Sequence, residues 1–264
     1  MPPPLPHYEV HPGRGPYLLL VHGIISSREQ WCLNLAELAE VSRPVVVELL
    51  GHGRSPAPAE LAAYHPDRYV EAFEQIRAEL GAERWIALGQ SLGAALTLRY
   101  ALARPQRLAA HLLTNSSSAF AEPSWEGELR PGLEALLRDV EARGMEALES
   151  MRIHPRHGRR LPPEVKARLL ADAELHDPRG VALSFIGTAA KSALGDRLES
   201  NRVPTLLLCG TREKRFEAHR RRAEKRMPLL EVVELETGHA VNLEAPAEFN
   251  RLAKAFVSRH AGAL

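Results

Sequence analysis

Gly89-Gln90-Ser91-Leu92-Gly93 places a serine between two glycines, directly after the apolar run RWIALG and directly before the helical pattern SLGAALTLRYALAR. A serine in so sharp a strand-to-helix turn has a strained backbone, and small residues two positions to either side let strand and helix approach closely. Its Oγ then projects above the carboxyl ends of the strands, where open α/β sheets bind ligands. The competing reading makes Ser91 only the N-cap of the helix that follows. A serine nucleophile needs a base, and GHAVNLEAP supplies His239 between an apolar run and the last helical pattern. A histidine at that point can take the hydroxyl proton.

An attacked carbonyl also needs hydrogen-bond donors for its developing negative charge. VHGIISSREQW follows the first long apolar run, and glycine at position 23 lets the chain bend inward there. This predicts an oxyanion hole made by the N–H groups of Ile24 and Leu92, with His22 holding the loop. His154 and His157, in HPRH, have an i,i+3 spacing that a metal pair can use. Pro155 between them and the flanking arginines argue against it. Neither a metal nor a cofactor is expected.

The elements that must position these residues are legible as apolar runs with helical segments between them. The runs are 17–23, 44–51, 84–89, 109–115, 204–210 and 230–236, with a first short strand around Tyr8–Val10. Continuous rather than alternating apolarity predicts strands buried on both faces, as in a parallel sheet covered by helices. Helical patterns over 28–41, 66–81, 91–104 and 245–260 alternate with them. The fold class expected is therefore α/β, a doubly wound and mostly parallel sheet. From about residue 116 to 203 no convincing strand occurs, and an interval of about ninety residues is too long for a structureless loop. It predicts a helical subdomain inserted into a core of residues 1–115 and 204–264.

Composition narrows the function classes. The 264 residues carry a formal net charge of +1, which gives no general pull toward nucleic acid or membrane. The cationic run Arg212–Arg226 is offset by Glu213, Glu217 and Glu224, as in an exposed helix laced with ion pairs. Cys32 and Cys209 lie in apolar contexts and read as small buried hydrophobes, which suits a reducing cytosol. No run approaches the length of a membrane span, and MPPPLPHYEV has neither the basic nor the apolar part of a signal peptide. The expected location is cytoplasmic and the expected partner a small molecule.

Taken together, these residues resemble the α/β-hydrolase superfamily along nearly the whole chain. The resemblance rests on His22-Gly23 with Trp31 beyond it, Gly51-His52-Gly53-Arg54-Ser55, G-Q-S-L-G, PTLLLCG, and Gly238-His239 before the final helix. It implies that the insertion after Asn115 is a cap. It also implies a third catalytic residue, because relatives carry G-x-x-D after the strand before the last. The equivalent position here is Glu213, one methylene longer than the aspartate. Glutamate serves in such triads. Glu217 and Glu122 are the reserves, since Asn115 stands where some relatives place the acid. Glu48 is a second departure of the same kind, three residues before G-H-G.

The expected function is a serine hydrolase, an esterase, cleaving a carboxylic ester or related acyl substrate through an acyl-enzyme on Ser91. Leu133, Leu136, Met145, Leu148, Phe185 and Ile186 of the cap are expected to line the acyl pocket or to form the cap's own core. The same framework serves carbon–carbon bond hydrolases and the menaquinone-pathway lyase, whose G-x-x-D-x-x-F region is similar to GTREKRF. A third reading is a binding member of the superfamily that has lost turnover.

Overall fold

The computed structural model describes residues 4–262. The strands are β1 (Tyr8–Val10), β2 (Tyr17–Val21), β3 (Arg43–Val47), β4 (Trp85–Gly89), β5 (Leu108–Leu113), β6 (Thr205–Gly210) and β7 (Leu230–Leu235). They form one seven-stranded sheet in the order β1-β3-β2-β4-β5-β6-β7. Only β1 runs antiparallel to its neighbour; every other pairing is parallel.

The unbroken apolar runs have a direct cause, because alternate residues feed two cores. Leu19, Val21, Val45, Val47, Trp85 and Ala87 pack with Tyr69, Phe73 and Tyr100, from helices Pro66–Glu79 and Leu92–Ala103. Leu18, Leu20, Val46, Ile86 and Leu88 pack on the opposite side with Trp31, Phe249 and Phe256. A sheet covered on both faces leaves no polar face to alternate with. β7 departs from this expectation. It is an edge strand with no fully buried residue, and its exposed Glu231 and Glu234 pair with Arg259 and Arg220.

Two other expectations need correction. The pattern over 28–41 is not one helix but a 3₁₀ turn, Arg28–Trp31, and a single α turn, Leu35–Leu38. Asn34 between them donates to Asn250 Oδ1 at 2.8 Å and to the Asn242 carbonyl at 3.2 Å, and these tertiary bonds hold it outside a continuous helix. Cys209 is buried, and burial pushes its thiol up to about 12, whereas Cys32 is only half-buried; both are free. Among the described residues no helix is long and apolar enough to cross a membrane.

β5 and β6 are neighbours in the sheet although residues 114–204 separate them. That interval holds only helices and turns, the longest being Trp125–Arg143 and Pro163–Ala173. It leaves from the carboxyl end of β5, so it lies over the edge where the strands end. Polar contacts fix it to the loop after β3. Arg54 pairs with Asp172 at 3.0 Å, the Gly53 N–H donates to His176 Nδ1 at 2.9 Å, and Ser184 Oγ donates to the Leu50 carbonyl at 2.9 Å. The rings of His22, His52 and His176 form a buried row, with centroids 5.4 and 5.1 Å apart.

Burial pushes these three rings, and His111 on β5, down to about 3. An unfolded chain protonates them near 6.5, so between about 6.5 and 3 it binds protons that the folded state refuses. Stability therefore falls as pH falls through that window. A thermal melting series from pH 7 to 5 is expected to show a declining midpoint, with a shallower decline in His111→Asn; equal slopes for both proteins contradict this account.

A second prediction concerns packing at the helix that follows β4. A Cβ added at Gly93 would lie 2.1 Å from the Val21 carbonyl oxygen, while one added at Gly132 would meet nothing within 4 Å. Gly93→Ala should cost about 2 kcal/mol or more. Gly132→Ala, inside helix Trp125–Arg143, should gain up to about 1 kcal/mol. Urea unfolding measures both, and similar values would refute the contact.

Candidate active site

Ser91 sits between the end of β4 and the helix Leu92–Ala103 with φ 53° and ψ −115°. This is a strained backbone for a residue with a side chain, costing on the order of 1–3 kcal/mol. Ser91 occupies the N-cap position, yet its side chain makes no capping hydrogen bond. The hydroxyl is thus not committed to the helix, which removes the competing N-cap reading. The flanking glycines allow the turn: a Cβ at Gly89 would fall 2.4 Å from the Gly93 carbonyl oxygen.

The loop after β2 lies directly against this turn, since a Cβ at Gly23 would sit 2.9 Å from Ser91 Cβ. Two neutral histidines shape that loop. His22 Nε2 accepts the Leu49 N–H at 3.0 Å, so its Nδ1–H donates to the Gly23 carbonyl at 2.7 Å. His52 Nε2 accepts the Ile25 N–H at 3.1 Å, and its Nδ1–H donates to the Leu50 carbonyl at 3.0 Å. His22 therefore holds the loop. The Ile25 amide is occupied, but no hydrogen bond engages the N–H of Ile24 or of Leu92 among the described residues.

His239 follows β7, and Glu213 follows β6. Backbone bonds from Thr211 N–H to the Leu235 carbonyl and from Arg212 N–H to the Thr237 carbonyl, both 2.9 Å, press the two loops together. His239 Nδ1 meets Glu213 Oε2 at 2.8 Å. Burial tends to raise the Glu213 carboxyl, but the hydrogen bond and charge of His239, with the bond from Asn115, hold it below the usual range. Asn115 Nδ2 donates to Glu213 Oε2 at 2.6 Å, while Asn115 Oδ1 accepts the Gly210 N–H at 2.9 Å. The residue at the alternative acid position thus fixes the carboxylate that stands in its place. From the sequence Asn115 reads only as a missing acid; its place just after β5 is the signal that points to the site.

The reserve acids are engaged elsewhere. Glu217 pairs with Arg221, and Glu122 with Arg222 at 3.2 Å. Arg220 and Glu224 pair at 2.7 Å, so the cationic stretch after Glu213 is the ion-paired helix Glu217–Arg226.

Ser91, Glu213 and His239 line one cavity of about 1080 Å³, together with Ile24, Gln90 and Leu243. No hydrogen bond joins Ser91 Oγ to His239 among the described residues, and serine–histidine contacts of this kind commonly tighten only with substrate. The lining bears on the two roles expected of the apolar residues of the insertion. None of Leu133, Leu136, Met145, Leu148, Phe185 or Ile186 lines the cavity. Leu136, Met145, Leu148 and Phe185 pack instead with Val140, Val181 and Ile25. Helical periodicity identifies a face that is buried, and here that face packs on other helices of the insertion and on Ile24 and Ile25 of the loop after β2. The wall comes from the segment 152–161, which has too little periodicity to flag.

His154 and His157 lie in that wall. His154 Nδ1 accepts the Arg156 N–H at 3.3 Å and His157 Nε2 lies 3.0 Å from the Glu149 carbonyl oxygen. Among the described residues no group of three or more His, Cys, Asp or Glu side chains is placed to hold a metal ion. Chemically, the arrangement offers an uncommitted serine hydroxyl, an imidazole oriented by a carboxylate, and two unengaged amide donors, one on the residue after the serine and one on the loop that lies against its turn.

Residues 16–246 match the α/β hydrolase fold family. The chain is 26% identical over 259 residues to a putative 2-succinyl-6-hydroxy-2,4-cyclohexadiene-1-carboxylate synthase of Bacillus subtilis, covering 94% of this chain and 92% of the other. Its fold is similar to that of MenH from S. aureus, with a TM-score of 0.84 at 19% identity, covering 96% and 98% of the two chains. A thermophilic esterase from Thermogutta terrifontis gives a TM-score of 0.77 at 24% identity, covering 96% and 93%. At these identities the two solved structures speak for the fold alone. The family match spans the first long strand, the serine turn, the insertion and the histidine loop, and the chain belongs to the α/β-hydrolase fold family.

Proposed function

We propose that the chain is a serine hydrolase that cleaves a carboxylic ester or related acyl substrate through an acyl-enzyme on Ser91. In this reading residues 116–203 act as a cap over a core of 1–115 and 204–264, and the enzyme works in the cytoplasm. The observation that carries the proposal is the contact of His239 Nδ1 with Glu213 Oε2 at 2.8 Å, at the cavity that Ser91 also lines.

Ser91 Oγ attacks the carbonyl carbon while His239 Nε2 takes its proton. Glu213 accepts the Nδ1–H bond, keeps the ring in the tautomer whose Nε2 is a free base, and stabilises the imidazolium. The carbonyl oxygen becomes an alkoxide between the N–H groups of Ile24 and Leu92. Collapse breaks the bond to the leaving group, which departs with the proton from His239. A water molecule then gives its proton to His239 and attacks the acyl-enzyme, and the acid is released with Ser91 restored.

The same three residues support a second reading, a lyase-type reaction. The resemblance to the Bacillus subtilis synthase over nearly the full length of both chains favours it. A binding protein without turnover would be favoured by a Glu213 turned from His239, and the 2.8 Å contact runs against it.

A fluorophosphonate probe should label the protein at Ser91, and Ser91→Ala should abolish labelling; a Ser91-independent label sinks the hydrolase reading. Glu213→Gln should lower kcat on a p-nitrophenyl ester by about 10²-fold or more. Labelling without turnover of any ester in a chain-length series would move the assignment to the lyase.

A further inference from the structure

The cavity wall built by residues 152–161 is strongly cationic. Arg152, Arg156, Arg159 and Arg160 all line it. Arg156 is neutralised by Glu149 at 2.8 Å. Arg152, Arg159 and Arg160 make no ion pair or hydrogen bond among the described residues.

The carboxylates of the same cavity are Glu213 and Glu244, and both are engaged with other donors. Glu213 receives His239 and Asn115, and Glu244 accepts the Gly238 N–H at 2.8 Å. A Cβ at Gly238 would fall 2.6 Å from Arg160 Nη1, so this guanidinium reaches the residue beside His239. Glu244 approaches the same point, at 2.8 Å, without forming an ion pair with Arg160.

The segment is anchored rather than loose. His154 caps the turn Pro155–His157, and Leu161 packs with Leu169 and Leu243. Ile24, Ile25 and Leu243 supply apolar surface in the same cavity. A ligand there meets a hydrophobic wall, the serine, and three arginines that no ion pair among the described residues neutralises.

We propose that this cavity takes an acyl substrate bearing an anionic group, a carboxylate or a phosphate, held by Arg152, Arg159 and Arg160 while its carbonyl lies against Ser91. The carbonyl part of this inference rests on the serine-hydrolase reading; the anion part does not. Guanidinium groups recognise both anions through paired N–H donors, and a cluster of cations at a cleft raises the local anion concentration.

The test compares mono-p-nitrophenyl glutarate with p-nitrophenyl valerate, two esters of equal acyl length. The full chain is expected to favour the glutarate ester in kcat/KM, and this preference should shrink as salt rises. In Arg159→Gln/Arg160→Gln the ratio should fall about tenfold or more. Arg130→Gln, exposed on the long helix of the insertion, should leave the ratio unchanged. Calorimetric titration of Ser91→Ala with glutarate and with glycerol 1-phosphate reads the anion site without turnover and tells the two anions apart. Saturable binding of either, lost in the arginine double substitution, supports the proposal. Ester turnover with no binding of either anion and no preference for the glutarate ester overturns it. Anion binding without Ser91 labelling or ester turnover leaves the anion site standing and overturns the hydrolase reading alone.

Discussion

The carbonyl oxygens of Val21 and His22 lie where a side chain on residue 93 would have to be, 2.1 and 2.6 Å from its Cβ position. The Gln90 N–H donates to the same Val21 carbonyl at 2.9 Å, so the serine turn is tied to the end of β2 from both sides. The geometry of the candidate site depends on that approach. It sets Gly23 against Ser91, at a turn where the serine backbone has positive φ and the Ile24 and Leu92 amides stay unengaged. A turn held so closely has no freedom to relax the strain, and the hydroxyl is presented rather than absorbed into the helix.

The other half of the site is held by one oxygen atom. Glu213 Oε2 receives both His239 Nδ1 and Asn115 Nδ2. Asn115 in turn bonds to the backbone of Gly210, at the end of the neighbouring strand. The longer side chain of glutamate, compared with aspartate, is accommodated because its carboxylate is gripped from the direction of β5 as well as from the histidine. Burial opposes the charge on Glu213, and these two donors outweigh it.

The insertion is fastened on one side and exposes chemistry on another. Arg54 joins Glu48 and Asp172, linking the loop after β3 to helix Pro163–Ala173, while Arg168 pairs with Glu29 at 2.6 Å. These contacts fix where the segment 152–161 can lie. The long helix Trp125–Arg143 turns Leu136, Leu137 and Val140 toward Leu148, Val181 and the loop residues Ile24 and Ile25, and none of its residues lines the cavity. The cavity is consequently apolar near Ile24 and Leu243 and cationic along the arginine segment.

Much of this was legible in the residues themselves. The continuous apolar runs gave the strands because both faces of the sheet are covered. G-Q-S-L-G announced its turn because only small residues permit such an approach, and Gly238-His239 lay between a strand and a helix. Glu213 needed the family pattern, since its own neighbourhood is a run of charges in which no single carboxylate stands out. The half-exposed character of β7, the broken helix at Asn34, the grip of Asn115 on Glu213 and the arginine wall were decided only by the tertiary structure. Each depends on a partner many residues away, Asn34 on Asn250 and Asn115 on Glu213. Sequence periodicity reports that a face is buried or a turn is tight; which surface it is buried against is set by long-range packing.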